Sequence, residues 1–188
     1  DGPRAGHPAA ARRPPETPAM SLGRRLADAL GGAYVALDAE RDVARVVVRR
    51  GGKTRIVDLA GLRAGGIDAD LRARDFTANA LGVSLCAPEE GLLDPTGGRE
   101  DLAASTLRMT HSAAFQDDPL RILRGVRLRG TLGWRVASET ERRMRVEAPL
   151  LALVSPERVR DELAQILALE DAAESLSYAE GLEVLGPC

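Results

Sequence analysis

DDPLRILRGVR, residues 117–127, is where the chain changes character. Before it, short runs of β-branched residues alternate with Gly-rich turns. After it, apolar residues recur at helical spacing. Asp118 followed by Pro119 reads as a helix opening: the aspartate can accept from the free N–H groups of the first turn, and proline suits a position whose N–H has no partner. Asp118, Arg121, Arg124 and Arg127 recur every three residues, so they wind along the helix as a slowly drifting stripe. Leu120, Ile122, Leu123 and Val126 occupy the other side. An acceptor carboxylate beside a planar fork of donors can match the donor and acceptor pattern of a base edge. A solvated arginine-rich face gives the same pattern, and for an isolated helix it is the simpler explanation. Arg127 lies nearest the apolar edge and is the best placed of the four for a structural role.

Upstream, residues 21–30 (SLGRRLADAL) form an amphipathic helix closed by Gly31-Gly32. Two strand-like runs follow at 33–37 and 44–50, and Gly51-Gly52 turns the second into a third at 53–59. A helix is expected over 67–81, a strand over 83–87, a strand–turn–helix in LLDPTGGREDLAA and a short strand at 106–110. Downstream, Ser138 and Glu141 suggest a capping box, and Ser155-Pro156 opens another helix. The chain is thus α+β, a mixed α/β unit to about residue 112 followed by an all-helical one.

Composition sets outer limits. The net charge is −2, so no global basic field advertises nucleic acid. Lys53 is the sole lysine, and arginine, which supplies the remaining positive charge, is the better residue for bidentate recognition of phosphate. Cys86 and Cys188 are too few for a disulfide framework or metal cluster. No apolar run reaches membrane-spanning length, and a cytoplasmic protein is expected. Residues 1–20 are Pro/Ala/Arg-rich without periodicity and read as a disordered or foreign segment.

Asp68 and Asp70, after Gly65-Gly66, have the look of a metal-binding D-x-D pair. Carboxylates at i and i+2 share a face on a strand, whereas on a helix they diverge by about 200° and cannot clamp one ion. Their surroundings favour helix, so the pair is expected to complement the helix dipole.

Four blocks carry a family resemblance. They are R-D-F-T-x-N-A (Arg74 to Ala80), L-x-D-P-x-G-G-x-x-D-L (Leu92 to Leu102), D-D-P-L-R-I-L-R-x-V-R (Asp117 to Arg127) and S-P-E-R-V-R-D-E-L (Ser155 to Leu163). In this order and spacing they resemble the bacterial-type tRNA CCA-adding enzyme and poly(A) polymerase family.

The resemblance implies a partial nucleotidyltransferase head over 21–112, a mixed sheet with helices, then a truncated helical neck over 113–188. It implies transfer of CMP or AMP from CTP or ATP to the 3′ end of tRNA or another RNA, with Mg²⁺. Arg74 matches a phosphate-contacting arginine, and Asp75 and Asn79 sit in the block linked to ribose recognition. Residues 94–101 match the flexible connection between head and neck. Asp118, Arg121, Arg124 and Arg127 match the nucleotide-binding helix, where an aspartate and an arginine imitate a Watson–Crick partner. Asp58 matches the family's third catalytic, metal-binding carboxylate. The family's G-G-x-V-R-D and D-x-D motifs find no match, so this chain alone is expected to be inactive. A non-catalytic nucleotide- or RNA-binding module, or a split subunit, is the alternative.

Overall fold

The computed structural model describes residues 17–62 and 65–186. The N-terminal segment up to residue 16 and Cys188 therefore lie outside the described residues. Two compact units divide between Leu62 and Arg63.

In the first unit, α1 (Pro18–Leu30) packs on an antiparallel sheet of β1 (Ala33–Asp38), β2 (Val43–Arg50) and β3 (Lys53–Ala60), in the order β1-β2-β3. The alternation on the central strand works as written: Ala44 and Val46 are fully buried on the helix-facing side. Helix α1 begins at Pro18, three residues before the expected Ser21, because its cap comes from a distance. Asp42, in the β1–β2 turn, accepts from the Thr17 hydroxyl and from the N–H groups of Ala19 and Met20 at 2.9 and 3.0 Å. Burial pushes the Asp42 carboxyl up, but these three bonds outweigh it and hold the group below its ordinary value.

The second unit opens with α2 (Gly66–Arg72), which stops nine residues short of the expected end at 81. The chain after it is drawn into tertiary contacts instead. Phe76 bridges Met109 in antiparallel fashion, and Thr77 N–H donates to Arg108 O at 2.9 Å, leaving only a 3₁₀ turn at Thr77–Asn79. Leu71, Phe76 and Ala80 are all buried. The strand expected at 83–87 shrinks to β4 (Gly82–Val83), paired with β5 (Leu92–Leu93). Then come α3 (Gly98–Ala103), β6 (Thr106–Leu107), α4 (Ala114–Asp117), α5 (Arg121–Leu132), β7 (Arg135–Val136), α6 (Ser138–Glu147), α7 (Pro156–Leu167) and α8 (Ala172–Gly181).

Two details depart from the sequence reading. Residues from 113 onward are not purely helical, since β7 pairs in parallel with β6. The capping box at Ser138 does not form: Ala137 is the N-cap, so the serine sits one position too far in. The core gathers Phe76, Leu107, Phe115, Ile122, Leu123, Val126, Met144, Leu151 and Ile166 around α5.

Candidate functional site

The two blocks at residues 74–79 and 117–127 meet inside the second unit, and α5 makes the junction. Asp118 keeps an extended backbone, its Oδ1 takes the N–H of Leu120 at 3.3 Å, and Arg121 N–H returns to Asp118 O at 3.1 Å. The Asp-Pro stretch thus makes a tight turn ahead of the helix and not its cap: Leu120 is the N-cap and α5 begins at Arg121, two residues after the expected first position at Pro119. One helical turn on, the arginines point at the preceding block.

Arg121 is buried at 6% exposure, which the three-residue stripe did not indicate. Its Nη1 donates to Arg74 O at 3.2 Å and Ala114 O at 3.1 Å, and its Nη2 to Ala73 O at 2.7 Å. A guanidinium shared among three carbonyls fixes the path of the 73–75 backbone. Arg124 Nη2 lies 3.0 Å from Asp75 Oδ2. Asp75, itself buried, accepts from its neighbour Phe76 N–H at 2.8 Å and from Asn79 Nδ2 at 3.3 Å. Asp75, Asn79 and Arg124 therefore form one polar cluster. Arg127 turns away from it and pairs with the buried Glu162 of α7.

Arg74 and Asp118 keep side chains that solvent reaches. Arg74 is half exposed and held loosely, at 3.3 Å to Asn79 O and 3.4 Å to Asp70 Oδ2. Asp118 presents its second oxygen to Arg158 Nη2 at 2.9 Å across a partly solvated gap. Arg158, in the S-P-E-R-V-R-D-E-L block, was not singled out from the sequence. Its signal was there, since its block is one of the four. Asp101 was also missed as a positioning group: buried, it accepts from the Thr77 hydroxyl at 2.8 Å and Arg108 Nε at 2.9 Å. Asp94, at the head of the same block, takes the N–H groups of Gly98 and Arg99 at 2.7 and 3.0 Å. The N–H of Arg99 foremost, aided by its neighbours, holds the Asp94 carboxyl below its ordinary value.

The D-x-D pair lies on α2. Asp68 pairs with Arg72 one turn on at 2.8 Å, and Asp70 faces Arg74. Asp58 belongs to the first unit, where Arg45 Nε and Nη2 grip its two oxygens at 2.6 and 2.9 Å. The bond from Arg45 holds this carboxyl down, and the side chain is 52% exposed. Among the described residues no three of His, Cys, Asp and Glu converge on a point that could hold a metal ion. The residues present therefore do not fit a two-metal centre. No helix among the described residues is long and apolar enough to cross a membrane.

Comparison with known proteins agrees with this arrangement of blocks. Residues 38–108 match the family described as the poly A polymerase head domain, and residues 133–185 match the probable RNA and SrmB-binding site of polymerase A. The chain is 45% identical over 151 residues to the CC-adding tRNA nucleotidyltransferase of Geobacter sulfurreducens, covering 80% of this chain and 34% of that one. It is 37% identical to the A-adding tRNA nucleotidyltransferase of Deinococcus radiodurans, covering 86% and 37%. The Thermotoga maritima CCA-adding enzyme complexed with tRNA superposes with a TM-score of 0.76 at 30% identity, over 92% of this chain and 42% of that one. A CCA-adding enzyme with ATP gives 0.77 at 31%, over 92% and 41%. The chain thus spans about a third of the length of these curated relatives. With both family signatures in order, and with the blocks that define them joined through α5, the chain belongs to the bacterial tRNA nucleotidyltransferase and poly(A) polymerase family.

Proposed function

We propose that the chain takes part in template-independent nucleotidyl transfer at a tRNA 3′ end, moving CMP or AMP from CTP or ATP, and that it supplies the nucleotide-selecting residues. The observation that carries the reading is the junction of Arg124 with Asp75, which joins α5, the helix that follows Asp118, to the Arg74–Asn79 block. On this reading Asp118 offers its carboxylate to the exocyclic amino group that cytosine and adenine share and that uracil lacks. Arg74 swings from its two long contacts onto the triphosphate, where a planar fork gains bidentate geometry. Asn79, oriented by Asp75, serves the ribose. Arg121 acts beneath them as the strut that fixes the 73–75 backbone. It is a positioning residue, and substituting it disturbs the fold before it reports on the base.

The family works with divalent metal, and Mg²⁺ is the ion we propose for the complete enzyme. A cytoplasmic setting follows from the substrates proposed. Ultraviolet crosslinking of labelled CTP and ATP to the chain, followed by peptide mapping, tests the reading. Label is expected on peptides holding residues 74–79 and 117–127. Label confined to residues 17–62, or evenly spread, would count against it.

A further inference from the structure

Most arginines of the second unit end on a carboxylate: Arg72 on Asp68, Arg124 on Asp75, Arg127 on Glu162, Arg158 on Asp118. The distal half of the β2–β3 hairpin, beyond the Arg45–Asp58 pair, departs from that habit. It carries Arg49, Arg50, Lys53 and Arg55, all exposed, and the sequence has no acidic residue between Asp42 and Asp58. Among the described residues, none of these four side chains makes an ion pair.

Register decides where the charges point. Arg50 stands opposite Lys53, Arg49 opposite Thr54 and Val48 opposite Arg55. Buried Ala44 and Val46 mark the side of β2 that faces α1, so by alternation Val48 and Arg50 share that side. Cross-strand partners share a face, which puts Lys53 and Arg55 there too. Lys53 and Arg55 are spaced by about 6.6 Å along the strand, and Arg50 is directly across from Lys53. Like charges directly opposite one another destabilise a sheet, so this trio is self-repelling unless an anion lies on it. The Gly51-Gly52 turn, with φ of 58° and 73°, leaves the tip bare of side chains and open to close approach. Beside it a groove of about 530 Å³ is floored by Leu30, Val48 and Val57 and edged by Arg50 and Arg55.

We propose that the Arg50, Lys53 and Arg55 face of this hairpin holds the phosphate backbone of RNA. The inference rests on the transfer reading, which makes an RNA the polyanion at hand. Phosphate is favoured over an acidic protein surface for two reasons. The charges follow one another at nearly the repeat of a nucleic-acid strand, and two planar guanidinium forks match phosphate oxygens.

The test measures fluorescence-anisotropy affinities of the 188-residue chain for a labelled tRNA lacking its terminal CCA, across a salt series. The wild type is compared with the Arg50→Ser/Lys53→Ser/Arg55→Ser variant. Three phosphate contacts contribute about 2.1–2.7 units to the slope of log affinity against log salt, so the wild-type advantage should shrink about 20–40-fold between roughly 50 and 200 mM salt. Removing mutual repulsion should not harm folding, which a thermal melt checks. An Arg99→Ser/Arg142→Ser/Arg160→Ser variant removes the same charge from exposed sites of the second unit. Equal slopes in the two variants, no tRNA binding by the wild type, or a poly-glutamate peptide that displaces tRNA at matched charge would each overturn the proposal. A slope carried by the hairpin together with failed nucleotide crosslinking would reject the transfer reading alone. Successful crosslinking with no hairpin dependence would reject this inference alone.

Discussion

Arg127 and Glu162 make the sharpest structural prediction, because both ends of this ion pair are largely out of water, at 21% and 8% side-chain exposure. Taking either partner away leaves a lone charge in a poorly solvated site between α5 and α7. For such pairs the cost is about 3–5 kcal/mol, whereas replacing both partners with apolar groups of similar volume is often neutral or better. Arg127→Met and Glu162→Leu singly should therefore each destabilise the chain by about 3 kcal/mol or more. At about 2–4 °C per kcal/mol for a chain of this size, each melting point falls by roughly 6–20 °C. The double variant should recover most of that loss. Urea unfolding of the four proteins, read as a double-mutant cycle, gives the coupling directly. Nucleotide crosslinking in the double variant should match the wild type, since Arg127 faces Glu162 and not the Asp75 cluster. A double variant as unstable as the two losses summed would refute the buried-pair reasoning. Lost crosslinking in a folded double variant would refute the structural assignment of Arg127.

Three other outcomes follow from particular contacts. Gly125→Ala would set a methyl 2.9 Å from Phe76 Cζ and 3.1 Å from Met144 Cε; overpacking of this kind costs about 1–3 kcal/mol, and an unchanged melting point would show that the core gives way. The Asp94 carboxyl is held below its ordinary value of 3.8, so its stabilising contribution is complete above that pH and disappears as pH falls through the lower folded value. Asp94→Asn should therefore flatten the acid limb of stability measured by urea unfolding, and an unaltered limb contradicts it. Burial foremost, with Glu141 adding, pushes the Tyr178 phenol up to about 12. Its contribution is whole below the ordinary value of 10.0 and is lost as pH rises toward 12, and in a Tyr34→Phe background absorbance at the tyrosinate band should rise only near that upper value.

The elements written in local pattern were legible. Three strands, their Gly-Gly turn and the Ser-Pro helix opening stand where period and turn chemistry put them. Asp68 and Asp70 lie on a helix, as their surroundings led one to expect. What escaped was long-range. Asp42 caps a helix more than twenty residues away, and no window of sequence shows that bond. The helix expected to continue to residue 81 yields after Arg72 because Arg108 and Met109 claim the backbone around Phe76. Spacing placed Arg121 with the polar stripe, yet the fold turns it inward onto three carbonyls. A residue's place on a helix wheel cannot reveal that the opposite wall is lined by backbone carbonyl groups. Arg158 is the reverse case: the sequence block held it, but only the fold set it against Asp118.

On the proposed reading Asp118 selects the base. Calorimetric titration of the chain with CTP, ATP, UTP and GTP, repeated on Asp118→Ala, tests it most directly. CTP and ATP should bind the wild type more tightly than UTP and GTP, and the variant should lose that preference by about tenfold or more, the worth of one good hydrogen bond to a base edge. A folded Asp118→Ala protein that still prefers CTP and ATP to the same degree would contradict it.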